Sequence, residues 1–274
     1  METKLKENRW LLAVRLAVAV TFAAMVTVNA LANILPINGV NTGQVSDSYQ
    51  NLFAPAGLTF AIWGLIYLLL AIYTLYQFGL FQKKDQPYPA DLTIKIGILF
   101  SLSSLANLGW IYAWHYDRII LSMLLMLVIL VLLAVISLVS RSAQMTGRNR
   151  LAATIAFGVY FGWITVAAIA NATTLLVAIG WNRFGIAEQL WTILILLIGM
   201  LIGSATMIRN RDIAYGLVLI WAYAGILIKH LAANGFAGRY PEVYAIVIAC
   251  LALLLIALAW TSRSLINSRG SRQA

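Results

Sequence analysis

The chain has 274 residues, of which 62% are hydrophobic and only 10% charged, at a mean hydropathy of +0.88. No soluble domain of this length hides so much apolar surface in one core, so the composition excludes a water-soluble fold and makes the bilayer the solvent. The net charge of +10 comes from 19 basic residues set between apolar runs rather than along one amphipathic face, which speaks for membrane orientation and against nucleic-acid binding.

Apolar runs long enough to cross about 30 Å of hydrocarbon predict helices at 10–35, 55–80, 92–115, 118–140, 151–179, 188–208, 212–233 and 241–262. The first follows Lys4, Lys6 and Arg9 and ends near Ala30-Leu31-Ala32, as a cleavable signal would. Its apolar stretch from Trp10 to Leu35 outruns the ~7–15 residues of a signal core, so it is expected to stay as a spanning helix. Breakers fall between the runs: Pro36 and Asn38-Gly39, then Pro87 and Pro89, Gly147, and finally Gly235, Gly238 and Pro241. The loop 36–54 is long and has no Lys or Arg. It suits either a functional lid or a solvated turn built on Asn38, Asn41 and Asp47.

Basic residues alternate by side along these runs. Lys4, Lys6, Arg9, Arg15, Lys83, Lys84, Lys95, Arg141, Arg148, Arg150, Arg209, Arg211, Arg263, Arg269 and Arg272 fall on one side, against Arg118, Arg183, Lys229 and Arg239 on the other. Short cytoplasmic loops hold the excess of Lys and Arg, so the fold class expected is an all-α, polytopic integral membrane bundle of about eight transmembrane helices with both termini cytoplasmic.

Ionisable groups deep in hydrocarbon mark function, and here they are missing. All nine acidic residues (Glu2, Glu7, Asp47, Asp85, Asp91, Asp117, Glu188, Asp212, Glu242) fall at helix ends or in loops, which argues against a carboxylate-based ion relay. Arg15 and Lys95 lie near span ends and can snorkel. The lone Cys250 sits in an apolar run and builds neither a disulfide nor a Cys-based metal site within one chain.

What remains inside are asparagines and aromatics. Tyr160, Trp163, Ala167 and Asn171 share one face of the fifth run, within roughly 80° of arc. Asn107, Trp110 and Trp114 share a face of the third, and Trp63 and Tyr67 lie one turn apart in the second. At ~1.5 Å per residue, Trp63, Asn107 and Asn171 each lie about 12 Å in from the outer helix ends, so facing stripes would line a cavity in the outer half of the membrane. Ordinary packing, with Asn bonded across helices and Trp in the interfacial belt, suits the same periodicity.

These residues carry a family resemblance. PAGLTFAIWGLIY resembles the PPxW…VWxxLY segment of the TspO/MBR family, the tryptophan-rich sensory or translocator proteins, at Pro55, Trp63 and Tyr67. LANLGWIYAW resembles its LN-x-x-W…F segment at Asn107, Trp110 and Trp114, and VYFGWITVAAIAN its PYxxW…LN segment at Tyr160, Trp163 and Asn171. The chain departs from the family where Ala54 and Val159 replace prolines and where a Trp is missing around Gly57-Leu58. The resemblance implies a five-helix ligand-binding bundle over 1–187 and a three-helix extension over 188–274. It implies Trp63, Tyr67, Asn107, Trp110, Trp114, Tyr160, Trp163 and Asn171 as ligand-binding residues, and porphyrin or haem, in some members sterols, as ligands. It also implies a homodimer, a bacterial cytoplasmic membrane and no required cofactor.

Three other functions compete with ligand binding and sensing. A transporter of a small hydrophobic molecule would use the extra helices. An enzyme degrading a bound porphyrin would rest on the tryptophans, since no Ser-His-Asp arrangement or metal-ligand spacing is present and His115 and His230 lie near span ends. A Schiff-base role for Lys229 lacks an intramembrane counter-ion, and snorkelling explains that lysine more simply.

Overall fold

The computed structural model describes residues 2–83, 85–143, 145 and 147–270, with side chains described between Arg9 and Asn267. Of the residues named above, Lys84 and Arg272 and the side chains of Glu2, Lys4, Lys6, Glu7 and Arg269 lie outside them. Among the described residues there are nine α-helices and no strand: α1 (Glu2–Ile34), the short α2 (Thr42–Ser48), α3 (Ile62–Gln77), α4 (Ala90–His115), α5 (Ile119–Ser142), α6 (Gly147–Ala178), α7 (Glu188–Asn210), α8 (Ile213–Leu231) and α9 (Pro241–Gly270). Eight of them are long and apolar enough to cross a membrane, α3 together with the turn before it. The chain is therefore an all-α, polytopic integral membrane protein whose surroundings are lipid.

The helix ends follow local chemistry. Pro89 precedes α4 and its carbonyl accepts from both the backbone N–H and the hydroxyl of Thr93, at 2.9 and 3.1 Å. Arg211 closes α7 in the left-handed conformation (φ 50°). The next residue, Asp212, caps α8 by accepting from the Tyr215 N–H at 3.0 Å, and burial pushes its carboxyl up to about 6. Pro241 opens α9 at a position where a missing N–H costs nothing. The second span differs most from expectation. Its regular helix starts at Ile62 because 57–61 form a 3₁₀ turn and the Ala56 N–H bonds the Gly225 carbonyl at 3.0 Å instead of entering a helix.

By packing, the chain divides into two compact units. The first comprises Met1–Thr42 and Trp63–Phe161, the second Gly43–Ile62 and Gly162–Ala274, so α6 contributes to both. In the first unit α4 is central and carries α1 and α5. Gly97 lets α1 close in, for a Cβ there would run into Val14 and Val18. Its lower core is a ring cluster in which Tyr73, Phe100 and Phe157 meet edge to face, with centroids 4.8 to 6.3 Å apart. In the second unit α7, α8 and α9 pack together and the 3₁₀ turn before α3 lies on α8. Gly162 presses against α8: a Cβ there would sit 2.8 Å from the Tyr215 carbonyl oxygen and 3.0 Å from Val218. Tyr215 donates to Thr165 at 3.2 Å and Tyr223 to the Leu196 carbonyl at 2.7 Å, which ties α8 to α6 and α7.

Candidate ligand-binding site

In the first unit the stripes of the second and third runs meet Tyr160 of the fifth. One turn of α3 places Trp63 over Tyr67, stacked at 5.4 Å between centroids and 19° between planes. One turn of α4 stacks Trp110 on Trp114 in the same way, at 5.8 Å and 22°. Trp63 joins the pairs, 6.1 Å from Trp110 and 6.0 Å from Tyr160 of α6, the latter edge to face. Trp63, Trp110, Trp114 and Tyr160 are buried, while Tyr67 is half-buried at the edge of the cluster. The Tyr67 hydroxyl is nonetheless shielded and has no hydrogen-bond partner among the described residues.

Polar groups hold this cluster in place. Asn107, fully buried, accepts from the Asn29 amide of α1 at 2.8 Å and donates to the Tyr160 hydroxyl at 3.2 Å. Asn29 also donates to the Met25 carbonyl at 2.9 Å. An amide chain thus crosses from α1 through α4 to α6, in a medium where no water is at hand to satisfy those groups. The indole N–H of Trp114 donates to the Thr42 carbonyl at 3.1 Å. His115 donates from Nδ1 to the Ile37 carbonyl at 3.2 Å, because a carbonyl can only accept, which leaves Nε2 to accept from the Thr42 hydroxyl at 3.2 Å. Asn38, left-handed at φ 56°, donates to the His115 carbonyl at 2.9 Å.

Six of the eight predicted residues are therefore brought together within one unit: Trp63, Tyr67, Asn107, Trp110, Trp114 and Tyr160. Trp163 and Asn171 belong to the second unit, both buried, and there Trp163 meets Phe60 edge to face at 5.7 Å. Asn29 is a residue the sequence reading missed. Its signal was present, as an amide deep in the first apolar run.

The first inter-helix loop is not a solvated turn. Its part 43–62 is strapped to the second unit: Lys229 pairs with Asp47 at 2.7 Å, His230 donates to the Leu52 carbonyl at 2.9 Å, and the Trp221 indole donates to the Thr59 carbonyl at 3.0 Å. Asn51 folds the strap by accepting from the N–H groups of Phe53 and Ala54, at 3.1 and 2.9 Å. Lys229 thus reaches out to the exposed Asp47 carboxylate of the loop. Among the described residues no group of three or more His, Cys, Asp or Glu could hold a metal ion. What the cluster offers is flat aromatic faces and oriented dipoles, with no charge.

A family model described as TSPO-like protein matches residues 15–260. The chain belongs to the TSPO-like protein family. The match runs beyond residue 187 through α7 and α8 and into α9, so it takes in all eight spans of this TSPO-like protein at least in part. No curated protein and no solved structure matches the chain. Membership carries the three motif segments quoted above into a membrane helical protein with aromatic clusters, and Trp63, Trp110 and Tyr160 of those segments are the rings that touch.

Proposed function

We propose that this TSPO-like protein binds a flat, apolar ligand, a tetrapyrrole such as protoporphyrin being the leading class, against the ring cluster of the first unit. The observation that carries this reading is the meeting of Trp63, Tyr67, Trp110 and Tyr160 from three helices around one orienting amide. Broad rings bury large apolar area against a macrocycle, and a few fixed dipoles orient it. Tyr67, the half-buried ring at the edge, is the one that swings aside so that the ligand stacks on Trp63. Both ring nitrogens of His115 are engaged by Ile37 and Thr42, so the first unit is suited to gripping a porphyrin by its face rather than through an iron. Trp163 and Asn171 stay in the proposal as residues the resemblance names.

The same reading places both termini in the cytoplasm, on the basic-residue asymmetry, in a bacterial inner membrane. It keeps 1–187 as the five-helix part that carries the quoted motifs, 188–274 as the three-helix part that follows, and a homodimer as the assembly. Titration of protoporphyrin IX into the purified, detergent-solubilised protein tests it. Saturable quenching of tryptophan emission with a shifted Soret band is expected, and a linear, non-saturating response removes the tetrapyrrole.

A further inference from the structure

The connection between α6 and α7, residues 179–187, is built unlike a loop that faces water. Its sequence, IGWNRFGIA, carries four large apolar or aromatic side chains around one asparagine and one arginine. Three rings close on one another: Trp181 and Trp191 at 5.1 Å, Trp181 and Phe184 at 5.5 Å, Phe184 and Trp191 at 6.5 Å. Trp181 and Trp191 are half-buried by this, yet Phe184 remains 77% exposed. Arg183 and Phe184 both hold left-handed backbones, at φ 59° and 55°. Non-glycine residues pay for that conformation, and here it turns the Phe184 ring outward beside Ile186.

Much of the loop's backbone is bonded internally. The N–H groups of Ile179, Gly180, Trp181, Gly185 and Ile186 bond carbonyls of the loop or of the last turn of α6 at 3.0 to 3.1 Å. The Phe184 N–H goes to the Asn182 side chain at 3.0 Å, and the Trp191 indole N–H caps the Arg183 carbonyl at 2.8 Å. Caps and turns of this kind close in water too, but a loop seated where water is scarce depends on them. The loop joins two helices long and apolar enough to cross a membrane, ending at Ala178 and starting at Glu188, so it lies at the ends of two spans. Arg183 is only loosely held, 3.9 Å from Glu188, with its side chain 44% exposed.

We infer that residues 179–187 form an interfacial anchor seated in the phospholipid headgroup layer, with Phe184 and Ile186 reaching toward the acyl chains and Arg183 meeting lipid phosphate. Aromatic rings with engaged polar edges favour that layer, and a guanidinium forks readily onto phosphate. The anchor belongs to the second unit and does not depend on the ligand proposed above.

A nitroxide spin label read by collision accessibility tests it. Full-length protein carrying Phe184→Cys, with Cys250→Ala to leave one thiol, is labelled and reconstituted into phosphatidylethanolamine/phosphatidylglycerol vesicles. Ile186→Cys reads the same surface without touching the ring cluster. At both sites oxygen, which partitions into lipid, is expected to collide with the label several-fold more than a water-soluble nickel chelate does. Nickel collisions equal to or above those of oxygen would place the loop in water and overturn the anchor. Exclusion of both reagents would place it against protein, a second copy included, and overturn it equally.

Discussion

Asn107 is the residue on which the ring cluster turns, because it is bonded on both sides by groups that have no water to fall back on. Asn107→Leu keeps the branched shape but leaves the Asn29 amide only the Met25 carbonyl and removes one partner from Tyr160. The fold is expected to lose about 1–2 kcal/mol, read as a lower midpoint in detergent-phase thermal unfolding, with Asn29→Leu giving a loss of similar size. Asp212 gives a pH signature at the same scale. Its folded pKa of about 6 lies above the ordinary carboxyl value of 3.8, so the folded state binds the proton more tightly than the unfolded chain. The stability this contributes is fully present below the unfolded value and is lost as pH rises through about 6. Asp212→Asn keeps a capping side chain and removes the buried charge. It is expected to stabilise the protein at pH 8 by on the order of 1–3 kcal/mol and to match wild type at pH 4, as two unfolding series would read. The aromatic members of the cluster were legible in the sequence because helical spacing alone puts Asn107, Trp110 and Trp114 on one face. Asn29 was not: Asn33 lies one turn on, but the meaning of Asn29 lies in a partner on another helix.

At the level of elements, the close approach of α6 to α8 depends on Gly162. Alanine there has the better helix propensity, by about 1 kcal/mol. The new Cβ would meet a backbone carbonyl oxygen at 2.8 Å, which cannot swing away as a flexible side chain could. Gly162→Ala is therefore expected to destabilise by about 1–3 kcal/mol despite the propensity gain, and Gly162→Leu to prevent recovery of folded protein, measured as the monodisperse fraction after extraction. The strap 43–62 should be less sensitive at its ion pair: Asp47 is half exposed, and Asp47→Asn is expected to cost under about 1 kcal/mol. Span positions were legible from apolar run length, and six of the eight spanning helices begin within a few residues of expectation, the exceptions being the longer α1 and the late α3. The late start of α3 was not, because it follows from a hydrogen bond between Ala56 and Gly225, far apart in the chain. The fate of the polar first loop was hidden for the same reason: Asp47 and Leu52 are held by residues of α8.

Over the whole chain, the eight spans were readable because hydrocarbon thickness dictates run length. The division by packing was not, since it cuts through α6 and takes 43–62 into the unit formed with α7, α8 and α9. A hydropathy pattern carries no information on which helices share a core. The family match over 15–260 reaches into both units, and the cluster of the first unit holds the matched rings of the quoted motif segments other than Trp163. Ligand binding at that cluster is the central claim, and one comparison addresses it most directly: Soret-band titration of protoporphyrin IX against wild type, Trp63→Leu and, as a control, Trp260→Leu, whose ring is exposed on α9. Saturable binding is expected of wild type and the control, weakened by about tenfold or more in Trp63→Leu as a stacking partner worth about 1–2 kcal/mol is removed. Equal affinity in all three proteins, or no Soret change in any, would contradict it.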